Sequence, residues 1–559
     1  MQPHDGDKTM IGPEHYSLQG KVDYKWRIQE HFNIAREVCD KWADGTGRPA
    51  LVYEDKTGKV TTYSFDQIKT LSNQLANTLT KAGLRRGDRI GIFLSQGVET
   101  LISHVAAYKI GAVTVPLFYL FGPDAISYRL NNSAAKLLIT DAAGMGKVSA
   151  VRDELAALQQ ILYVEDPGVA VPDSAQGFWG SLRQEFPEFT TVDTLADDPA
   201  IIIYTSGTTG KAKGALHSHR ILLGHLPGVE VSHDGFPQAG DLFWTPADWA
   251  WIGGLFDVLM PSLYHGIPVL AKRLEKFEPE AVFDLLERHQ VRNVFFPPTA
   301  LKMLRIVEKP NERWHYHLRS VASGGESLGS DLIAWGQQVF GVTINEFYGQ
   351  TECNLVVSSS ATLYPPKPGS MGRAVPGHDV QIVDEQGNVL PAGATGNIAV
   401  RRPDPVMFLG YWQNPEATKE KFAGDFLVTG DLGTMDADGY ITYLGRNDDV
   451  ITSAGYRIGP APIEECLMRH PAVKLAAVIG VKDEVRTEIV KAFIVLRDGF
   501  SPSQSLFKEI QGFVRDRLAA HEYPRDIAFV DALPTTPTGK IMRRALKQQE
   551  ESGAGAIAQ

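Results

Sequence analysis

FDQIKTLSNQLANTLTKAG at residues 65–83, RIGIFL at 89–94 and AVTVPLF at 112–118 decide the fold. Ile68, Leu71, Leu75 and Leu79 recur at helical spacing, and the pattern stops at Gly83, a residue that readily closes a helix. The two apolar runs that follow read as short buried strands. Helix and strand in alternation predict parallel sheets covered on both faces by helices, hence an α/β protein. The same rhythm continues through AKLLITD (135–141), PAIIIYTSG (199–207), the helix EPEAVFDLLERHQ (278–290) and the strand VRNVFFPP (291–298).

After Gly377 the texture changes. DVQIVDEQGNVLPAGATGNIAVRR (379–402) reads as strands joined by a QGN turn, a smaller antiparallel, β-barrel-like subdomain over about 377–444. GRNDDV (445–450) packs Gly, Asn and paired Asp into a polar stretch and reads as a linker. The boundary is placed there: a large N-terminal domain over 1–447 and a small C-terminal α+β domain over 448–559. IEECLMRHPAV, KLAAVIGV, KAFIVLRDG and QSLFKEIQGFVRDRLAAH supply the second domain with a core of its own. The last residues, ESGAGAIAQ, read as a frayed tail.

A chain of 559 residues is too long for one hydrophobic core, so several domains are expected. Its net charge of -11 argues against a general nucleic-acid binder, which needs surplus Lys and Arg to replace phosphate counterions. The longest apolar run, 110–121, is broken by Pro116 and is far short of the roughly 20 residues that cross a bilayer. The N-terminal MQPHDGDKTMIGPEHY lacks the apolar core of a secretion signal, so a cytoplasmic protein is expected. Cys39, Cys353 and Cys466 are odd in number and widely separated, which supports reduced thiols and neither disulfide nor zinc.

The most informative stretch for chemistry is YTSGTTGKAKG at 204–214, which follows the apolar Ile201–Ile203. Its glycines permit a tight loop, and Thr205, Ser206, Thr208 and Thr209 add hydroxyls that, with backbone N–H groups, can wrap phosphate oxygens. A triphosphate is the natural ligand. It is not a Walker A loop, because Gly210-Lys211 is followed by Ala212 where that motif has Ser or Thr.

YTSGTTGKAKG, YGQTE (348–352), TGD (429–431), GRNDD (445–449) and PTTPTGK (534–540) stand in the order found in adenylate-forming enzymes, and the chain resembles that AMP-binding superfamily over roughly residues 30–547. SAGYRIGP (453–460) and FNIAREVCDKWAD (32–44) make it most similar to the medium-chain acyl-CoA synthetases. The resemblance implies ATP-dependent activation of a carboxylic acid to an acyl-adenylate, then transfer to coenzyme A. Its cofactors would be ATP, Mg²⁺ and CoA. A carboxylate must meet the α-phosphate, so cations are needed near the crowded oxygens. The matching residues imply Lys540 as the mobile catalytic cation, with Thr205 and Glu352 completing the catalytic set and holding Mg²⁺. The nucleotide would be cradled by Thr205, Ser206, Gly207, Thr208, Thr209, Gly210 and Lys211. Gly324, Gly325, Glu326 and Ser327, with Glu346, Phe347, Tyr348, Gly349, Gln350 and Thr351, match the adenine pocket, where Tyr348 stacks on the base or packs as core. Asp431 would hold the ribose hydroxyls with help from Arg446, a role suited to an acceptor-only group. Arg457 would reach the AMP phosphate or CoA, and Ala454, Gly455 and Tyr456 the pantetheine channel.

Acetyl-CoA synthetases carry a tryptophan where this chain has Gly349, so an open acyl tunnel is expected, with Gly253 and Gly254 also small. Trp249 and Trp251 line or support it, or are simple core. The implied substrate is a medium-chain, branched or aromatic acid. Asp448 is the implied hinge that swaps Lys540 for the GYR segment. One departure stands out: family members have Glu-Ile-Glu or Glu-Val-Glu after GYRIGP, and this chain has Pro462-Ile-Glu464. Alternatives are an adenylation enzyme loading an amino acid or a carrier protein, with Asp248 as its amine-binding group, a luciferase-like oxidase, and a nucleotide sensor without catalysis. The expected partners are a small-molecule acid and CoA, no nucleic acid and no membrane span. A homodimer, and a lysine acetyltransferase acting on Lys540, complete the expectations.

Overall fold

The computed structural model describes residues 24–551 apart from 167, 206–211, 275, 327, 450, 454–455, 484–486, 519–522 and 536–540, with only backbone described at 448, 452, 456 and 457. The helix expected after Ser64 runs Phe65–Lys81. The Ser64 hydroxyl accepts from the Gln67 backbone N–H, and the Gln67 side chain accepts from the Ser64 N–H, so both ends of a capping box are closed. Gly83, at φ +86°, ends the helix in the left-handed region. RIGIFL and AVTVPLF become the parallel neighbours Arg89–Phe93 and Val113–Pro116. The crossover helix between them, Val98–Lys109, is buried at every residue except Glu99. Its Lys109 ammonium donates to Asp40 and Asn73 at 2.6 Å each, the pairing a buried charge requires.

Among the described residues two large sheets form. The first holds, in spatial order, Gly410–Tyr411, Lys213–Ser218, Pro199–Thr205, Val113–Pro116, Arg89–Phe93, Leu137–Thr140, Gln160–Tyr163 and Gln176–Gly177. The second runs Arg373–Ala374, Cys353–Ser358, Ile344–Gln350, Ser320–Gly324, Asn293–Phe295, Phe243–Trp244, Val269–Lys272, Pro49–Glu54 and Val60–Ser64. Both are parallel in the middle and antiparallel at an edge. One core joins them: Ile90, Ile201 and Ile203 from the first, Leu51, Phe243, Val269 and Phe347 from the second, and Val105, Leu226 and Leu259 from the helices packed with both. Each such side chain, fully removed from water, contributes about 1.5–3 kcal/mol. A widened π turn, Leu255–Leu259, interrupts the run between Ile252–Gly254 and Met260–Tyr264. Such turns insert one extra residue and often lie at functional sites.

The 379–402 segment forms the strands Val380–Val383 and Thr395–Arg401, paired antiparallel, within an open five-stranded sheet completed by Phe422–Ala423, Phe426–Met435 and Ile441–Arg446. The reading of GRNDDV as linker is corrected at its start, because Gly445 and Arg446 close the strand Ile441–Arg446. Only Asn447–Asp449, a single 3₁₀ turn, separates that strand from Ile451–Ser453, the first of a fourth sheet. That sheet pairs Val473–Asp483 with Thr487–Leu496, and Asp526–Phe529 adds on in parallel. One face is covered by Pro460–Met468 and Gln504–Arg515 through Ile463, Leu467, Ile510 and Val514, the other by Leu533 and Leu546. Proline is tolerated in the first turn of Pro460–Met468 because those N–H groups have no helical partner. Glu464, the carboxylate kept beside Pro462, accepts from the Val478 N–H at 2.8 Å and from Arg543 at 3.0 and 2.5 Å. Arg543 also reaches Asp449 at 3.4 Å. No described helix is long and apolar enough to cross a membrane.

Candidate active site

Ligands of parallel α/β sheets bind beyond the carboxyl ends of the strands. The strand Ile344–Gln350 delivers YGQTE to such an end and turns straight back, with Gln350 opposite Cys353, so Thr351 and Glu352 form a hairpin tip. The register shifts between Tyr348 and Gln350, with the extra residues on the returning strand at Asn354–Val356 opposite Gly349, a bulge of the kind that re-aims side chains beside active sites. The neighbouring strand Ser320–Gly324 ends beside it, and Gly324 is required there because a methyl group would lie 2.5 Å from the Phe347 ring. Gly325, at φ +100°, then turns the chain, and Glu326 pairs with Lys302 at 3.6 Å.

Several elements converge on the YGQTE tip. The Tyr348 hydroxyl donates to Asp431 at 2.6 Å, and Arg446 approaches the same carboxylate at 3.4 Å from the paired strand. Burial, followed by the nearby Asp431 charge, pushes the Tyr348 phenol well above its ordinary range. Gln350 donates to the Thr429 carbonyl at 3.0 Å and accepts from Lys421 at 2.9 Å. Burial lowers the Lys421 ammonium, opposed by the Glu352 charge. Glu352 is buried and accepts from the Tyr411 hydroxyl. His217, on the strand Lys213–Ser218, donates through Nε2 to the Thr351 carbonyl at 2.7 Å, and burial lowers its imidazole to about 4, so it stays neutral. That strand pairs antiparallel with Pro199–Thr205, Thr205 opposite Lys213, and thus carries the start of the expected phosphate loop to the same place. Thr205 donates to the Lys213 carbonyl at 3.4 Å.

The structure therefore brings together Thr205, Gly325, Glu326, Glu346, Phe347, Tyr348, Gly349, Gln350, Thr351, Glu352, Asp431 and Arg446 around one edge. Ser206, Gly207, Thr208, Thr209, Gly210, Lys211, Ser327, Ala454, Gly455 and Lys540 lie outside the described residues, as do the side chains of Asp448, Tyr456 and Arg457. Sequence reasoning missed Tyr411 and Lys421. Both sit in FLGYWQNPEATKEKF (408–422), whose aromatic and lysine residues resemble ordinary surface and core until Glu352 and Gln350 are seen beside them.

The acyl side differs from expectation in two respects. Gly349 does not border open space: a methyl group there would collide with the Asn354 side-chain oxygen and lie 2.8 Å from the Asn354 Cα. Gly349→Trp is therefore expected to destabilise the fold by about 1–3 kcal/mol through overpacking, read as a lowered denaturation midpoint, and not to give a clean switch to acetate. Gly254 is small for the same reason, since a methyl would lie 2.5 Å from the Asp248 carbonyl. A methyl group on Gly253 would lie 3.0 Å from the Phe295 ring and 3.5 Å from the Asp257 carboxyl. Trp249 is fully buried in the shared core, whereas Trp251 is half-buried against Phe118 and Phe121 at centroid distances of 5.2 and 6.1 Å. Asp248 accepts from the Ala250 N–H at 2.8 Å, and burial pushes its carboxyl up to about 6. Its role is to hold the local loop.

Glu346 accepts from the Leu328 N–H at 3.3 Å, and burial pushes its carboxyl up to about 8, with the Glu465 charge adding to the rise. An acid with a raised folded-state pKa weakens the fold as pH rises from its ordinary range through the raised value. Glu346→Gln is thus expected to raise the melting temperature by a few degrees at pH 9 and to change it little at pH 4, in paired thermal melts.

With the geometry established, comparison with known proteins defines the class. The family described as AMP-binding enzyme matches residues 39–412, and the AMP-binding enzyme C-terminal domain matches 462–540, so the chain belongs to this family of adenylate-forming enzymes. Within it the chain is an acyl-CoA synthetase, most like the medium-chain group. It is 36% identical to the human mitochondrial acyl-coenzyme A synthetase ACSM2B, covering 96% of this chain and 94% of that one. It is also 36% identical to an acetyl-coenzyme A synthetase of Bacillus subtilis, over 93% and 90% of the two chains. Among solved structures, an anthranilate CoA ligase with bound anthranoyl-AMP superposes at a TM-score of 0.85, with 27% identity over 94% of this chain and 99% of that one.

Proposed function

We propose that the chain joins a medium-chain, branched or aromatic carboxylic acid to CoA in two steps, ATP first giving an acyl-adenylate and pyrophosphate, CoA then releasing AMP. The observation that carries the reading is the Tyr348–Asp431–Arg446 cluster at the mouth of the hairpin that bears Glu352. Asp431, an acceptor beside a phenol and a guanidinium, suits two ribose hydroxyls. Glu352 has one oxygen engaged by Tyr411 and a second of the hard-donor type that Mg²⁺ takes alongside substrate phosphates, so Glu352 and Thr205 would hold that ion. Once bound, it would offset charge on the triphosphate. Lys540 would supply the cation at the reacting oxygens, and the C-terminal domain, 448–559, would pivot at Asp448 so that Arg457 and the Ala454–Tyr456 segment replace it for thioester formation.

The relatives include an acetyl-coenzyme A synthetase and an anthranilate CoA ligase, so acid size is the open variable of this pocket. The amino-acid-loading alternative is disfavoured because burial pushes the Asp248 carboxyl up to about 6, which weakens it as the counter-charge an amine needs. Three buried free cysteines support a reducing compartment, the cytoplasm. Pyrophosphate release over acids of increasing length, with and without CoA, tests the reading. Acid-dependent release with acyl-CoA as product is expected; no acid-dependent pyrophosphate from any acid would refute it. Acetylation of Lys540 by a lysine acetyltransferase would remove its charge and stop the first step.

A further inference from the structure

Gln350 and Thr429 stand two residues before Glu352 and Asp431, the carboxylates assigned to the metal and ribose ends of the nucleotide. They belong to different sheets, Gln350 to the strand Ile344–Gln350 and Thr429 to the strand Phe426–Met435. A closed triangle of hydrogen bonds joins them. The Gln350 amide N–H₂ donates to the Thr429 carbonyl at 3.0 Å, the Gln350 oxygen accepts from the Lys421 ammonium at 2.9 Å, and that ammonium also donates to the Thr429 carbonyl at 3.2 Å. A carbonyl that only accepts and an ammonium that only donates fix which end of the amide is which.

Lys421 is itself held by the backbone on both sides. It caps the helix Pro415–Glu420 with its N–H on the Thr418 carbonyl at 3.1 Å, and its own carbonyl accepts from the Val428 N–H at 2.8 Å. The hairpin that pairs Phe422 with Leu427 and Ala423 with Phe426 follows at once. An ammonium has three donors, and the third goes to the Val428 carbonyl at 3.3 Å. With all of them engaged, none is left for a phosphate oxygen, so Lys421 acts through its partners and not on a ligand. The buried Thr429 passes the restraint on: its hydroxyl donates to the Ile398 carbonyl at 2.7 Å and accepts from the Asp431 N–H at 3.1 Å. The contacts therefore run unbroken from the YGQTE hairpin to the backbone of Asp431.

We propose that Lys421 is a positioning residue: through Gln350 and Thr429 it sets the separation of the Glu352 and Asp431 carboxylates, so that one nucleotide engages both. Two groups that grip one ligand help each other only while their spacing is fixed beforehand. Removing the brace leaves each grip in place and loses the cooperation between them. The proposal rests on the reading of Glu352 as the Mg²⁺ end and Asp431 as the ribose end of an ATP site.

The test is the Kd of ATP by titration calorimetry, without acid or CoA, in excess Mg²⁺ and in EDTA, together with thermal melts of the unliganded variants. Mg²⁺ is expected to tighten ATP binding by the wild type. Lys421→Met, which keeps the chain and removes the donors, should cut that tightening by about tenfold, the scale of one hydrogen bond to a charged group, while the Kd in EDTA moves by less than about threefold. Gln350→Met should do the same, and the double variant should lose no more than either alone, because both break one triangle. Lys421→Arg, which keeps a charged donor, should recover part of the loss. Tightening left intact by Lys421→Met or Gln350→Met would overturn the proposal, as would losses that add in the double variant, since Lys421 would then act on the nucleotide directly. Equal weakening in Mg²⁺ and EDTA with a lowered melt would overturn it too, by showing a merely structural part. Each of these leaves the ATP-site reading standing, whereas a wild type whose ATP binding Mg²⁺ does not tighten would overturn both. Should Lys421→Met not fold, Gln350→Met decides by the same ratio.

Discussion

Lys540→Ala is expected to lower adenylate formation from acid and ATP by about 10²–10³-fold, the scale set by removing one charged group aimed at a developing anion. Thioester formation from a supplied acyl-adenylate should stay within a few-fold of wild type, because in the proposed mechanism the C-terminal domain would by then have carried that lysine away. Single-turnover assays of each half-reaction separate the two. Equal loss in both would count against two domain orientations and leave Lys540 with a merely structural part. ATP–pyrophosphate exchange follows the first half-reaction by an independent route and should fall by the same factor.

Asp431→Ala is the second large effect. The carboxylate accepts from Tyr348 at 2.6 Å and is approached by Arg446 at 3.4 Å, so its loss strands a buried phenol and removes the proposed ribose contact. Hydrogen bonds to a charged partner contribute about 1.5–3 kcal/mol each, which places the rise in the ATP KM at roughly 10²-fold or more. Tyr348→Phe, which spares the ribose contacts, should raise it far less. Matched values for the two variants would show that Asp431 acts through folding and not through the nucleotide, and a thermal melt of Asp431→Ala resolves that case.

Much of the fold was legible because its signals are local. The helix face of Ile68, Leu75 and Leu79, the cap at Ser64 and the short apolar strands each follow from spacing within a few residues. The proposed nucleotide edge was drawn from another signal, the order of the short motifs YGQTE and TGD, which the fold sets at a hairpin tip and on a paired strand. What stayed hidden depends on distant neighbours. Gly349 reads as empty space in sequence, and only the fold brings Asn354 up behind it. Asp257 lies inside the apolar LFDVL and looks like a stray polar residue until the π turn aligns it with Asn354 and His225. Lys421 carries no spacing signal, and its place beside Gln350 and Thr429 arises from a strand that returns after a long excursion.

The grip of Arg543 on both Glu464 and Asp449 has a mechanical consequence. It staples the residue just after Asp448 to the helix start at Pro460–Met468 and to the helix Arg543–Glu551, so a C-terminal domain pivoting at Asp448, as proposed, would turn as one stiff block. On the other side, Arg446 is fixed in strand pairing with Asp431. The proposed rotation would thereby be confined to the dihedrals of two or three residues, and a joint that short has few resting positions. The block should click between stops, as a latch does, with no continuum of intermediate angles between them.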